Sequence, residues 1–249
     1  MAPRINKRDP VILAIMNYSD YKHSKYKNSI SGSSYGSAVR QFWLNKRHGS
    51  KVTPRDILKN VPLVTGTAMH TLLEYSDTEK YLQEADSPYT LFGKEEQMHY
   101  HTPSGITLTG TFDMMLQNKE TEELQLWDMK TMKSRTGKNF QDYENQMSIY
   151  AWIAERFYNM KVEVEGRVLA FDKEKQEFSV HKIHLHHRSK SFDPITYTDL
   201  IAFHENTPDE QLPECNAEQR AKLNNCIWCQ VRDYCSQTNP FSSSGFTAE

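Results

Sequence analysis

Two stretches decide the fold of this 249-residue chain: Gly110-Thr111-Phe112-Asp113 and Trp127-Asp128-Met129-Lys130. Both lie in segments with the alternating polarity of β-strands, separated by turn-forming residues. Side chains of a strand alternate between its two faces, so Asp128 and Lys130 project together. The two stretches therefore predict a hairpin that carries a carboxylate and an ammonium on one face.

The same hairpin brings two carboxylates together. A turn symmetric about Glu120 and Thr121 would place Asp113 directly opposite Asp128, with Cβ atoms about 5 Å apart. Like charges at that spacing destabilise a hairpin unless something neutralises them, and Mg²⁺ or Mn²⁺ is the simplest neutraliser because it prefers carboxylate oxygens. We therefore expect a cation that bridges Asp113 and Asp128 to a substrate phosphate. The alternative is that these are ordinary charges on a solvated strand face.

Outward from the hairpin, the hydrophobic periodicity predicts a mixture of helices and strands. Helices are expected over residues 35–47, 67–83 and 140–158, and strands over 89–100, 106–116, 123–130, 163–171 and 177–186. This order indicates an α/β fold in which a central sheet is flanked by helices.

Composition excludes a disordered chain and a membrane span. The chain is 37% hydrophobic and 11% aromatic, and it has no apolar run of membrane-spanning length, which leads us to expect a cytoplasmic protein. The formal net charge is −2, so total charge does not point to nucleic acid. Basic residues nevertheless dominate the first 60 positions, among them Arg40, Lys46 and Arg47. That segment is predicted to face a polyanion.

Two further motifs lie on the predicted helices before and after the hairpin: Gly66-Thr67-Ala68-Met69-His70 and Gln146-Met147-Ser148-Ile149-Tyr150. With the hairpin they give GxxxH, GxxD, DxK and QxxxY in this order. The set resembles the RecB-like, CRISPR-associated exonuclease-like branch of the PD-(D/E)xK nuclease superfamily, over roughly residues 31–235. The resemblance implies a restriction-endonuclease-like core with a central mixed sheet.

The resemblance also implies roles for individual residues. His70, Asp113 and Asp128 would be metal ligands, assisted by the backbone carbonyl of Met129. Asp113, Asp128 and Lys130 would be catalytic, with Lys130 orienting or activating the attacking water. Contacts to nucleic acid are implied for three residues: Arg40, Gln146 and Tyr150.

The expected function is that of a divalent-metal-dependent DNA nuclease that uses Mg²⁺ or Mn²⁺. By resemblance it would be an exonuclease acting on DNA ends or single strands, with a helicase or recombination partner. The alternatives are a structure-selective endonuclease on the same core and a nucleic-acid-binding subunit without catalysis.

The four cysteines are clustered near the C-terminus, at Cys215, Cys226, Cys229 and Cys235. Such clustering favours metal ligation over disulfides, and four thiolates suit either a [4Fe-4S] cluster or Zn²⁺. The segment 226–235 resembles the C-terminal cluster motif of iron-sulfur RecB-like nucleases, whose first cysteine lies on the N-terminal helix. Ala38 occupies the corresponding position here, so Cys215 is the candidate fourth ligand. Unligated thiols are the remaining alternative.

These features predict four regions along the chain. Residues 1–60 form a basic helical region and 61–205 the nuclease core. Residues 206–238 form a cysteine-ligated module, and 239–249 a disordered tail.

Overall fold

A computed structural model of the chain describes residues 28–48, 69–132 and 140–215, together with Cys235. Several predictions concern residues outside these ranges, namely most of the basic N-terminal region, Gly66, Cys226, Cys229 and the tail 239–249. The described residues fall into two compact units. The sheet unit contains residues 28–33, 69–100, 107–132 and 140–192, and the helical unit contains 34–48, 101–106, 193–215 and Cys235.

Five helices and six strands make up the described fold. The helices are α1 (Val39–His48), α2 (69–75), α3 (Thr78–Glu84), α4 (Phe140–Tyr158) and α5 (Pro194–Phe203). The strands are β1 (Ser29–Ser31), β2 (Tyr89–His101), β3 (Thr107–Asn118), β4 (Leu124–Met132), β5 (Glu165–Asp172) and β6 (Glu177–His184). Short 3₁₀ turns cover Gly32–Ser34 and Asp209–Gln211.

The strands form one mixed sheet in the order β1-β3-β4-β5-β6, and β2 also pairs with β3. The β1–β3 and β4–β5 pairs are parallel, whereas β3–β4 and β5–β6 are antiparallel. Helix α4 packs on this sheet with an almost wholly buried face. A mixed sheet flanked by helices is the predicted α/β arrangement, which is thereby confirmed.

Most predicted elements agree with the structure, but the helix expected over residues 67–83 is wrong. The described part consists of two helices, α2 and α3, separated at Ser76 and Asp77. The Asp77 side chain accepts the backbone N–H of Lys80 at 3.4 Å, and the Ser76 hydroxyl donates to the Leu73 carbonyl at 2.7 Å. Short polar side chains that bond to nearby backbone compete with a continuous helix, and Asp is a favoured N-cap.

The helical unit is held together by side chains of α1. The Trp43 indole N–H donates to the Ile201 carbonyl on α5 at 2.9 Å. Arg47 donates to the carbonyls of Thr207 and Glu205 at 2.8 and 2.7 Å, and it forms an ion pair with Asp209 at 2.5 Å. Arg47 belongs to the segment that was predicted to face a polyanion. In the structure its guanidinium binds oxygen atoms of its own chain.

No helix of the described ranges combines the length and the apolar character needed to cross a membrane.

Candidate active site

The sheet unit brings three potential metal ligands together around His70. His70 Nδ1 lies 3.0 Å from Asp113 Oδ1 and 3.4 Å from Glu95 Oε1. The ligand atoms of these three side chains all lie within 4.8 Å of one another. They come from three elements, α2, β2 and β3. One imidazole nitrogen and two carboxylate oxygens are donors that suit Mg²⁺ or Mn²⁺.

The charge of His70 is set by the two carboxylates. Hydrogen bonds to Asp113 and Glu95 outweigh the effect of burial and raise the pKa of His70 to about 10. At neutral pH the imidazole is therefore protonated, and its single positive charge offsets one of the two carboxylate charges. Since a metal ligand must be the neutral imidazole, occupation of this site by a cation would release the His70 proton.

Both carboxylate oxygens of Asp113 contact another residue. While Oδ1 faces His70, Oδ2 accepts the backbone N–H of Met129 on β4. The β3–β4 ladder runs through Met114 and Trp127, and the next positions in this register are Asp113 and Asp128. This is the register predicted from the symmetric turn. The paired positions end at Met114 and Trp127, and beyond them the Asp113 carboxylate, not a backbone carbonyl, accepts the Met129 N–H.

Asp128 and Lys130 form a second, adjoining part of the site. The Lys130 ammonium lies 2.6 Å from Asp128 Oδ2, and the Asp128 side chain is only 4% exposed. Burial raises the pKa of Asp128 to about 6, against the opposing effect of Lys130. Burial alone would lower the pKa of Lys130, but the charges of Asp128 and Asp113 raise it above its ordinary value. Lys130 is thus a cation suited to orienting a water or a phosphate.

The groups that balance the charges of Asp113 and Asp128 are not the ones that the sequence indicated. We expected a divalent cation to be the neutraliser. In the structure Asp113 is paired with His70 and Asp128 with Lys130, so each carboxylate has its own cationic partner. The opposed charges do not by themselves require a metal, and the case for one rests on the ligand group around His70.

The QxxxY pair of α4, Gln146 and Tyr150, lies beside β3. Gln146 Nε2 donates to the Tyr150 hydroxyl at 2.9 Å. The Tyr150 ring packs directly on Gly110, where an added Cβ would lie 2.7 Å from the ring, and it lies closer still to Gly32. Tyr150 is 7% exposed, and burial raises the pKa of its phenol to about 12. The motif glycine at 110 is therefore explained by packing against Tyr150, and contact of Gln146 and Tyr150 with nucleic acid stays a prediction.

Sequence reasoning missed two residues of this region, Glu95 and Tyr143. Glu95 has a left-handed backbone, with φ of 49°, in the middle of β2, an uncommon conformation for a residue other than glycine. Gly93, two positions earlier, was the available signal, because glycine inside a strand often marks a bulge. The Tyr143 ring centroid lies 5.5 Å from Lys130 Nζ, within cation–π range. Tyr143 precedes Gln146 by three residues on α4, so helical spacing could have indicated it.

The predicted contact of Arg40 with a phosphate stays a prediction, and the structure shows this side chain bound within its own unit. Arg40 is 2% exposed and belongs to the helical unit. Its Nη1 donates to the carbonyls of Asp209 and Leu212 at 2.8 and 2.9 Å, and its Nε donates to Cys235 Sγ at 3.2 Å. A buried guanidinium with these acceptors ties α1 to the chain after α5. Helical periodicity could not show which basic side chain turns inward.

Of the four predicted cluster ligands, Cys215 and Cys235 are described, and both side chains are half-buried. Cys226 and Cys229 lie outside the described residues. The predicted ligand set therefore stays a prediction.

Comparisons with known proteins agree with the fold. The family model of the PD-(D/E)XK nuclease superfamily matches residues 32–236. This match spans most of the chain, which therefore belongs to the PD-(D/E)XK nuclease superfamily. Members of this superfamily are typically metal-dependent nucleases.

Two solved structures match this chain in structural comparison, and the first is similar to it in fold. The crystal structure of SSO0001 matches with a TM-score of 0.56 and 14% sequence identity, covering 90% of this chain and 94% of the other. A candidate exonuclease from Eubacterium rectale matches with a TM-score of 0.31 and 13% identity, covering 99% of this chain and 79% of the other. No curated protein matches the sequence.

Proposed function

We propose that this protein is a divalent-metal-dependent deoxyribonuclease that hydrolyses phosphodiester bonds. The observation that carries the proposal is the ligand group of His70, Glu95 and Asp113, assembled next to the Asp128–Lys130 pair. These residues would hold Mg²⁺ or Mn²⁺, which when bound supplies neutralisation of charge on the phosphoryl oxygens. Asp128 and the Met129 carbonyl, implied as ligands by the family resemblance, complete the proposed set.

Other groups of the protein would position the water, the metal ligands and the nucleic-acid strand. The Lys130 ammonium orients the attacking water or a phosphoryl oxygen, and Asp128 fixes the ammonium at 2.6 Å. The hydrogen bond from the Met129 N–H keeps Asp113 Oδ1 turned toward His70. Gln146 is half-exposed, and it offers an amide to the nucleic-acid strand beside the Tyr150 phenol.

We further propose that the enzyme is an exonuclease acting on DNA ends or single strands and that a helicase or recombination partner supplies these ends. This part rests on the resemblance of the motifs to RecB-like nucleases. A structure-selective endonuclease and a silent nucleic-acid-binding subunit are the alternatives that an experiment must separate.

Four substrates of one sequence separate these functions. They are a linear single strand, the same strand circularised, a linear duplex and the matching RNA strand, each incubated with Mn²⁺, with Mg²⁺ and with EDTA. We expect metal-dependent degradation of the linear DNA while the circle stays intact. Cleavage of the circle would show an endonuclease, degradation of the RNA alone would show a ribonuclease, and binding without cleavage would show a silent subunit.

For the C-terminal cysteines we propose that Cys215, Cys226, Cys229 and Cys235 bind a [4Fe-4S] cluster, with Zn²⁺ as the alternative. Support comes from the number and spacing of the four thiols. Iron and zinc analysis of anaerobically purified protein tests this, with Cys226→Ser as the comparison. Stoichiometric zinc would overturn the cluster, and neither metal would leave four ordinary thiols.

A further inference from the structure

A lysine of β2 holds the carboxyl end of the helix that carries His70. Lys94 Nζ lies 3.0 Å from the carbonyl oxygen of Leu73, 3.5 Å from that of Glu74 and 2.5 Å from that of Ser76. It also lies 3.0 Å from the Ser76 hydroxyl. The ammonium therefore donates to the backbone where α2 ends.

This contact has a clear physical basis. The last carbonyls of a helix lack partners within the helix, and the carboxyl end carries partial negative charge that attracts a cation. Lys94 is half-buried, and its ammonium lies within hydrogen-bond distance of these backbone oxygens. Replacing Lys94 with an apolar side chain would leave the same carbonyls without this donor.

The residue after Lys94 is the ligand Glu95. Glu95 Oε1 lies 3.4 Å from His70 Nδ1, and its left-handed backbone, with φ of 49°, interrupts the regular alternation of β2. His70 lies about one helical turn before Leu73 and Glu74, whose carbonyls Lys94 binds. Two consecutive residues of β2 thus carry an anchor for α2 and a carboxylate that faces the histidine of α2.

We propose that Lys94 is a positioning residue of the metal site: it fixes the end of α2 so that His70 meets Glu95 and Asp113. Lys94 is outside the group of metal-ligand atoms and acts through the placement of α2. The inference rests on the proposed function, because it assigns Lys94 to the same metal site. Groups that orient metal ligands typically change metal affinity 10- to 100-fold, by order of magnitude, when they are removed.

The test compares Mn²⁺ affinity in three variants with the full-length wild type. Lys94→Met removes the anchor, and Lys94→Arg retains a cation at the helix end. Glu79→Ala is the matched control, because Glu79 Oε2 accepts the Leu91 N–H at 2.7 Å and so joins α3, not α2, to β2. Free Mn²⁺ is measured by electron paramagnetic resonance, thermal unfolding without metal reports stability, and hydrogen exchange reports opening of residues 71–75.

We expect Lys94→Met to weaken Mn²⁺ binding about tenfold and to speed exchange in α2. Lys94→Arg should stay within about threefold of wild type, and Glu79→Ala should bind Mn²⁺ normally even if it unfolds at a lower temperature. Unchanged Mn²⁺ affinity in Lys94→Met would overturn the proposal while leaving the proposed function standing. If Lys94→Met does not fold, Lys94→Leu, which also lacks a donor, replaces it with the same criterion. Failure of wild type to bind Mn²⁺ would instead overturn the proposed function and this inference with it.

Discussion

The carboxylate of Asp113 on β3 accepts a hydrogen bond from the backbone N–H of Met129 on β4. This bond forms where the regular β3–β4 ladder ends after Met114 and Trp127. It leaves the other carboxylate oxygen directed at His70, 3.0 Å away. The Asp113 side chain thus bonds to the backbone of the neighbouring strand and also contributes to the proposed metal site. Different substitutions at position 113 can separate these two roles.

Asp113→Asn and Asp113→Ala should differ in stability and agree in function. The amide oxygen of Asn can still accept the Met129 N–H, whereas Ala leaves that buried donor without this acceptor, at a cost of about 1–3 kcal/mol. Neither variant supplies the carboxylate that faces His70, so both should lose Mn²⁺ binding. Urea unfolding without metal, together with Mn²⁺ titration, checks this. Equal stability of the two variants would contradict the structural role given to the Met129 bond.

The backbone of Glu95 gives a second test. A left-handed conformation is easier for glycine than for alanine by about 1 kcal/mol. Glu95→Gly should therefore be more stable than Glu95→Ala by roughly that amount, while both weaken Mn²⁺ binding to the same degree. The neighbouring Glu96→Ala serves as the control and should bind Mn²⁺ as wild type does, because Glu96 is outside the ligand group. Wild-type Mn²⁺ affinity in the two Glu95 variants would remove Glu95 from the site.

Packing of the Tyr150 ring on Gly110 predicts coupling between these two positions. An added Cβ at 110 would lie 2.7 Å from the ring, so Gly110→Ala should destabilise the protein by about 1–3 kcal/mol. The double variant Gly110→Ala, Tyr150→Leu should lose less free energy of unfolding than the two single variants lose together, because the ring that would clash with the new Cβ is absent. Gly105→Ala is the control, since a Cβ there meets open space and its cost, from a φ of 81°, should add independently. Strict additivity for Gly110 and Tyr150 would contradict the packing.

Acid stability should depend on Glu155. Burial opposes its ionisation, but hydrogen bonds from His187, the Val162 N–H and Arg188 overcome that and lower the pKa of Glu155 to about 2. A carboxyl with a depressed pKa stabilises the fold above its unfolded pKa, and this contribution is lost as pH falls toward the folded pKa. The stability difference between wild type and Glu155→Gln should therefore be constant above about pH 5 and should shrink between about pH 4.5 and 2. A difference that does not change with pH would contradict the depressed pKa.

The sequence predicted the parts of the site that depend on local pattern. The symmetric turn predicted the register of Asp113 and Asp128, and strand alternation predicted the pairing of Asp128 with Lys130. Glu95 was missed because Gly93 indicates an irregular strand but does not show which neighbouring side chain the irregularity turns toward His70. The burial of Arg40 was missed because its acceptors at Asp209 and Leu212 are about 170 residues away along the chain, so only tertiary structure determines them.

In the proposed function, DNA hydrolysis depends on a metal held by the residues around His70 and Asp128. The most direct measurement is single-turnover cleavage of an end-labelled DNA strand by wild type and by Asp128→Asn, each with Mn²⁺ and with EDTA. We expect cleavage by wild type with Mn²⁺ only. Asp128→Asn should lose at least about 100-fold, because Asp128 would help to hold the metal and fixes Lys130, and loss of one electrostatic contact to a transition state typically costs about that much. Cleavage that persists in EDTA, or an Asp128→Asn protein that cleaves at the wild-type rate, would contradict the account.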